Sequence, residues 1–393
     1  MPRVVSLGLE VVLEERLGLL AGRRIGLLCN HAAVNSQFKH VADLLAKVSN
    51  LRCLFGPEHG VRGEAQDMIG VGEGRDACLD LPVYSLYGAS VDSLRPQTEW
   101  LADLDLVLID LQDIGSRYYT FVWTMALMMQ VCAEMGVSVV VLDRPNPIGG
   151  EKIEGPLIEN GFFSFVGHHS VPIRHGMTIG EMARLVHKEL ALYGCELQVV
   201  PMEGWQRNMY YDQTGLPWVL PSPNMPTLDT ALVYPGACLF EGTNLSEGRG
   251  TTRPFEILGA PWVDGNVLAE ALEKEDLPGV GFRPICFTPT FHKHSGKPCG
   301  GIQIHVVARE KFRPLLTGVA ILRQVHNLWP KQFEWRKEAY EFVADRPAID
   351  LLAGGAWLRK GIEAGATLEK LTGHWNAAES EFARRRKPYL IYN

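Results

Sequence analysis

Residues 105–142 read DLVLIDLQDIGSRYYTFVWTMALMMQVCAEMGVSVVVL. An apolar run at 105–109 is strand-length, 124–135 carries a helical pattern, and 137–142 is a β-branched run suited to burial on both faces. Working outward, residues 24–29 (RIGLLC) and 51–55 are two further strands. Between them, residues 38–48 place Val41, Leu44, Leu45 and Val48 on one helix face. Downstream, Thr178-Ile-Gly-Glu181 is a capping-box signature opening a helix to about residue 192, and 197–201 is a fifth strand. Such strand–helix alternation predicts an α/β domain: a parallel sheet with helices on both faces.

The second half changes character. Residues 213–262 are rich in Gly, Pro, Asn and Thr and read as a loop-dominated opening to a second domain. Helical patterns follow at 266–275, 312–329 and 352–370, and residues 302–307 alternate like a half-buried strand. The expectation is therefore two domains, 1–230 and a smaller α+β domain at 231–393, which suits a chain of 393 residues.

Lys and Arg number 38 against 45 Asp and Glu, a net charge of −7, which argues against a nucleic-acid partner. Hydrophobic residues at 46% and charged ones at 21% exclude a disordered chain. No apolar run approaches the ~18 residues of a membrane span. Glu10, Glu14, Glu15 and Arg16 break up the N-terminal stretch that begins at Met1, so no secretory signal is read. The expectation is a cytoplasmic protein, or a secreted one if a signal was removed. None of the eight cysteines forms a CxxC pair, and several sit in apolar runs, as reduced core thiols do. The run Arg384-Arg385-Arg386-Lys387 before Pro388 reads as a solvated helix end.

In an open parallel sheet, ligands bind beyond the carboxyl ends of the strands. The segments there are Asn30-His31, Gly56-Pro57-Glu58-His59-Gly60, Asp110-Leu-Gln112-Asp113 through Arg117-Tyr118-Tyr119, and Asp143-Arg144-Pro145-Asn146. Four polar clusters are thus expected along one edge. Glu58 stands out, bracketed by glycines and preceded by proline; partial burial would hold its carboxyl protonated, as a general acid requires. The alternative is a structural Glu58 paired with Arg62.

Other templates fail. There is no GxGxxG after the first strand, no P-loop, no GxSxG and no HExxH. The pairs His168-His169 and His292-Lys-His294 read as surface turns, so no metal and no cofactor are expected. A second dense segment runs from Tyr234 to Glu256, with Glu241, Asn244, Glu247, Arg249 and Arg253 among its glycines. There the Gly–Arg–Gly spacing would leave Arg249 uncovered for bidentate capture of a carboxylate. Upstream, Pro221-Ser-Pro-Asn224-Met-Pro is either an interdomain linker or a rigid part of the site. Two carboxylates on facing elements are the minimum for glycoside hydrolysis. Glu58 with Glu247, or with Asp113, would supply them, and Tyr118, Tyr119, Trp205 and Trp218 could stack on sugar rings.

Several phrases carry a family resemblance: Phe55-Gly-Pro-Glu-His-Gly60, Asp110-Leu-Gln-Asp-Ile-Gly115 with Arg117-Tyr-Tyr-Thr120, and Leu142-Asp-Arg-Pro-Asn-Pro147. Arg174-His-Gly-Met-Thr178, the strip from Pro221 to Asp229 and the stretch from Phe240 to Pro254 add to it. From about Gly8 onward the chain resembles the bacterial exo-β-N-acetylmuramidase family called NamZ, long described as a domain of unknown function. The resemblance implies a Rossmann-like N-terminal domain, a smaller C-terminal domain and an active site between them. It implies removal of terminal β-1,4-linked N-acetylmuramic acid from peptidoglycan fragments, with Glu58 as the proposed catalytic residue and a wall-derived saccharide as the partner.

The lactyl carboxylate of that sugar calls for a cationic donor: Arg249, Arg253, Arg62 or Arg117. The remaining candidate substrate contacts are Asn30, His31, His59, Tyr119, Asp143, Arg144, Asn146, His175, Asn224 and Asn244. The sugar's 2-acetamido group could itself serve as nucleophile, leaving Glu58 and one steering carboxylate. An amidase or deacetylase acting on wall fragments, and a muropeptide-binding protein without turnover, are the alternatives.

Overall fold

The computed structural model describes residues 5–63 and 74–393; Met1 to Val4, part of the N-terminal stretch read above, lie outside them. The first half supplies α1 (Gly8–Glu15), β1 (Arg24–Cys29), α2 (Val41–Leu45), β2 (Asn50–Gly56), β3 (Gly74–Arg75), β4 (Pro82–Ser85), α3 (Thr98–Leu101), β5 (Leu106–Asp110), α4 (Phe121–Met135), β6 (Ser138–Leu142), α5 (Ile179–Glu189) and β7 (Leu197–Val200). The second half adds α6 (Leu228–Ala237), β8 (Ile257–Ala260), α7 (Gly265–Glu273), β9 (Val280–Phe287), β10 (Cys299–Val306) and α8 (Pro314–Leu328). Four helices close the chain: α9 (Ala348–Ala353), α10 (Trp357–Glu363), α11 (Leu368–Thr372) and α12 (Trp375–Arg386).

Seven strands form one sheet in the order β3-β4-β2-β1-β5-β6-β7, parallel except for the β3–β4 pair. Alternation along the strands sends side chains to two separate cores. Val107, Ile109, Val139 and Val141 join the core built by α4 and α5. Leu106, Leu108, Val140 and Leu142 join the one built by α1 and α2. Both faces are covered, as the β-branched run of β6 requires. The capping box at Thr178 and Glu181 starts α5 as expected.

The second sheet is antiparallel, β8-β10-β9, with the expected strand at its centre. Its residues Leu258, Ile302 and Ile304 belong to the same apolar cluster as Val107. The expected boundary between residues 230 and 231 falls inside α6. α6 crosses α8 where Gly236 meets Gly318; a Cβ at Gly318 would lie 2.4 Å from the Gly236 carbonyl oxygen.

Three expectations need correction. Residues 213–262 are not loop-dominated throughout, because the apolar stretch after Thr230 forms α6 and a 3₁₀ turn at Cys238–Gly242 despite Pro235. The pattern at 352–370 is broken into α9, α10 and α11, since Gly354 caps α9 with φ 75° and Gly365 follows α10 at φ 68°. The basic run at the end of α12 is not a solvated end. Arg386 is buried and donates to the carbonyls of Gly150, Glu151, His175 and Gly176, and Arg385 pairs with Glu189. All eight cysteines are free, six buried and two, Cys78 and Cys286, exposed. Among the described residues no helix is long and apolar enough to cross a membrane. Nor is any group of three or more His, Cys, Asp or Glu arranged there to hold a metal ion.

Candidate active site

The parallel strands do bring the four polar clusters to one edge, and a cavity opens where β2 and β5 end. The chain turns sharply after β2. The Gly60 amide donates to the Pro57 carbonyl at 3.0 Å, and His59 adopts φ 73° at the third position of the turn, the type II signature. This turn presents Glu58, 6% exposed, and His59 to the cavity. From the β5–α4 loop come Tyr118, Tyr119 and Thr120. Thr120 occupies the N-cap of α4 but makes no side-chain cap. Its hydroxyl donates instead to Glu58 Oε2 at 3.1 Å.

The opposite wall comes from the second half of the chain. Tyr234 on α6, Glu241 on the 3₁₀ turn, Arg249, and the neighbours Tyr340 and Glu341 face Glu58 across the cavity. Glu241 is held at both oxygens: Arg249 Nη2 donates to Oε1 at 2.7 Å and the Tyr340 hydroxyl to Oε2 at 2.6 Å. Glu341 accepts from the Tyr87 hydroxyl at 3.1 Å. Burial pushes the hydroxyls of Tyr118, Tyr119, Tyr234 and Tyr340 well above their ordinary pKa, so all four are neutral phenols. The cavity encloses about 40 Å³, room for roughly a water molecule or two.

The structure thus gathers Glu58, His59, Tyr119, Asn224 and Arg249 around one cavity. The strip carrying Asn224 and Ser222 is a wall of the site. Asn224 is 7% exposed, and its Nδ2 has no hydrogen-bond partner among the described residues.

Other expected contacts lie elsewhere, each for a visible reason. Glu247 is fully buried and bound by Lys293 (2.9 Å), His292 (3.2 Å) and Arg249 (3.3 Å). Burial alone would raise its pKa, but Lys293, then His292 and Arg249, overcome that and hold it well below the usual carboxylate range. It is bound as an internal counter-ion and is not among the residues lining the cavity. Asp113 accepts from the Gly115 amide and faces His175 at 3.7 Å, and it is not among the residues lining the cavity. Arg249 is not uncovered: φ values of 78° and 79° at Gly248 and Gly250 fold the chain around it, and its guanidinium lies over the Phe255 ring at 5.1 Å. Arg117 is wholly buried and donates to the carbonyls of Pro156, Val171 and Leu352, so it reaches no ligand. Arg62 is paired with Asp43 and Asp76, and Arg253 with Glu256.

The strand-end residues mostly tie the loops to one another. Asn30 exchanges hydrogen bonds with the Gln112 backbone, closing the crevice between β1 and β5. Arg144 pairs with Asp110, and Asn146 donates to the Met177 carbonyl. Asp143 accepts from Thr178, Gly180 and Tyr392, and burial still pushes it up to about 7. His31 packs against Gly63, His175 accepts from the Met177 amide, and Asn244 bonds to the backbone of Gln332 and Glu334. Trp205 and Trp218 pack against Tyr392 and Tyr211, each at 5.0 Å. The site residues that sequence reasoning missed include Thr120, Ser222 and Tyr234, then Glu341 and Tyr340, for which the sequence gives no signal, and Glu241, which shares its dense segment with the more conspicuous Glu247.

Comparison with known proteins gives the family and the fold. The model of the N-terminal part of exo-β-N-acetylmuramidase NamZ matches residues 25–229, and that of its C-terminal part matches 232–392. The peptidoglycan β-N-acetylmuramidase NamZ of Bacillus subtilis (strain 168) is 45% identical over 390 residues, covering 99% of this chain and 91% of its own. A DUF1343 family protein from Bacteroides fragilis superposes with a TM-score of 0.90 at 35% identity, over the whole of both chains. A second from the same organism gives 0.78 at 29%, over 99% of each. By sequence along nearly its whole length, and by fold, the chain belongs to the NamZ exo-β-N-acetylmuramidase family.

Proposed function

We propose that this protein is a glycoside hydrolase releasing terminal β-1,4-linked N-acetylmuramic acid from peptidoglycan fragments, with Glu58 as general acid and base. The observation that carries this is the meeting of Glu58 with an oriented second carboxylate, Glu241, in one cavity of a chain 45% identical to a muramidase. Glu58 protonates the leaving glycosidic oxygen. Glu241, fixed by Arg249 and Tyr340, serves on the other face of the sugar as nucleophile, as base toward water, or as the group steering the 2-acetamido oxygen. The buried Asn224 amide offers an N–H to the sugar's lactyl or acetamido oxygen. At about 40 Å³ the cavity admits water rather than a pyranose, so its walls part when the sugar binds.

The test is hydrolysis of a chromogenic β-N-acetylmuramide beside the matching β-N-acetylglucosaminide. Release from the muramide alone is expected. Release from both keeps the hydrolase and removes recognition of the lactyl group. Release from neither, by folded protein, overturns the assignment.

A further inference from the structure

On its far side Glu341 borders a second concavity that plays no part in the mechanism above. This groove measures about 690 Å³, within the ~300–1,000 Å³ of small-molecule sites. Among the described residues Glu341 alone lines both the groove and the inner cavity. One wall carries Leu94, Pro96 and Gln97, the other Phe163, Phe165 and His168. Phe163 is 41% exposed and Val91, at the rim, 58%. Large apolar side chains left open around a groove mark binding surface more than stray exposure.

The backbone at the junction is unusual. Tyr340 and Val343 exchange hydrogen bonds of 2.9 Å each, closing a two-residue turn. The residues inside it, Glu341 and Phe342, have φ of 44° and 67°. Two positive values in succession are the type I′ signature, which favours Asn-Gly and disfavours Glu-Phe. Tyr87 holds the strained pair: its hydroxyl reaches Glu341, and its ring meets Phe342 at a centroid distance of 5.5 Å. Strain of this kind persists where the surroundings over-determine it, typically at functional positions.

Resting on the muramidase activity proposed above, we infer that this groove receives the leaving side of the glycan. It would hold the sugar beyond the scissile bond and the chain that follows, with Glu341 at the crossing point. An exo-acting enzyme holds one sugar inside and lets the remainder out through an opening, and Glu341 is the described residue that borders both the cavity and the groove. A pyranose has an apolar C–H face and a hydroxyl rim. The Phe163, Phe165 and Leu94 walls suit the first, and Gln97 and His168 the second.

The test compares two substrates differing only in that remainder: a tetrasaccharide with N-acetylmuramic acid at its non-reducing end, and methyl β-N-acetylmuramide, whose leaving group is too small to reach the groove. Phe163→Ser and Val91→Asp alter exposed positions on the two sides, so the fold is spared. Each should raise KM for the tetrasaccharide about fivefold to tenfold and leave kcat/KM for the methyl glycoside within about twofold. Equal effects on both substrates, or none on the tetrasaccharide, overturn the groove as a subsite. A wild-type protein inert toward both overturns the muramidase activity itself, and the subsite with it.

Discussion

At the residue scale the proposed chemistry rests on two carboxyl groups presented differently. Glu58 arrives on a sharp turn and takes a hydrogen bond from Thr120; Glu241 is clamped by a guanidinium and a phenol. Glu58→Gln should lower kcat on the chromogenic muramide by about 10³-fold, with KM little changed, because the amide binds but cannot donate the proton. Glu241→Gln should cost about 10²-fold or more by the same measurement. Unaltered turnover in either variant removes that residue from the chemistry. The place of Glu58 at the cavity was legible in the sequence because glycine and proline around a strand-end acid leave a local mark. Glu241 was not, because its role depends on Arg249 and on Tyr340, 99 residues away. The stronger local pattern around Glu247 marked a structural counter-ion instead.

At the element scale, the five strands β1, β2, β5, β6 and β7 were legible nearly to the residue, since an apolar run buried on both faces has few other uses, whereas the short edge strands β3 and β4 carry no such run. Helix extents were less so: residues 38–48 shrink to α2, and the three short helices near the C-terminus read as one. The segment joining β9 and β10 was read as a surface turn, yet Lys293 from it reaches inward to Glu247 and to the Phe240 and Leu245 carbonyls. Lys293→Met should therefore destabilise the protein by about 3 kcal/mol in chemical denaturation, since it removes the nearest of the three partners of a buried carboxylate. Gly318→Ala should cost about 1–3 kcal/mol by the same method, because its methyl group meets the α6 backbone at the helix crossing. A neutral result would mean that the two helices separate freely.

At the scale of the whole molecule, the C-terminus is a strap. Arg386 and Tyr392 return to the first sheet, and Tyr392 donates to Asp143 where β6 ends. Asp143 makes stability pH-dependent. Its carboxyl titrates near 3.8 when unfolded and is pushed up to about 7 when folded, chiefly by burial. Between those values the folded chain keeps a proton that the unfolded chain has released. Its contribution is thus full below about 4 and lost as pH rises through about 7. Asp143→Asn carries no such titration. The melting temperature of the variant relative to wild type should be highest near pH 7.5 and fall by about 2–4 °C toward pH 5. A difference that does not change with pH would show that the buried carboxyl stays ionised throughout.

The narrowness of the cavity around Glu58 also sets a clock. A space of about 40 Å³ takes in a sugar only during the intervals when its walls stand apart. Association is then paced by how often those intervals occur and runs below the ~10⁵–10⁷ M⁻¹s⁻¹ of unhindered docking. The apparent affinity is diluted by the fraction of time spent open.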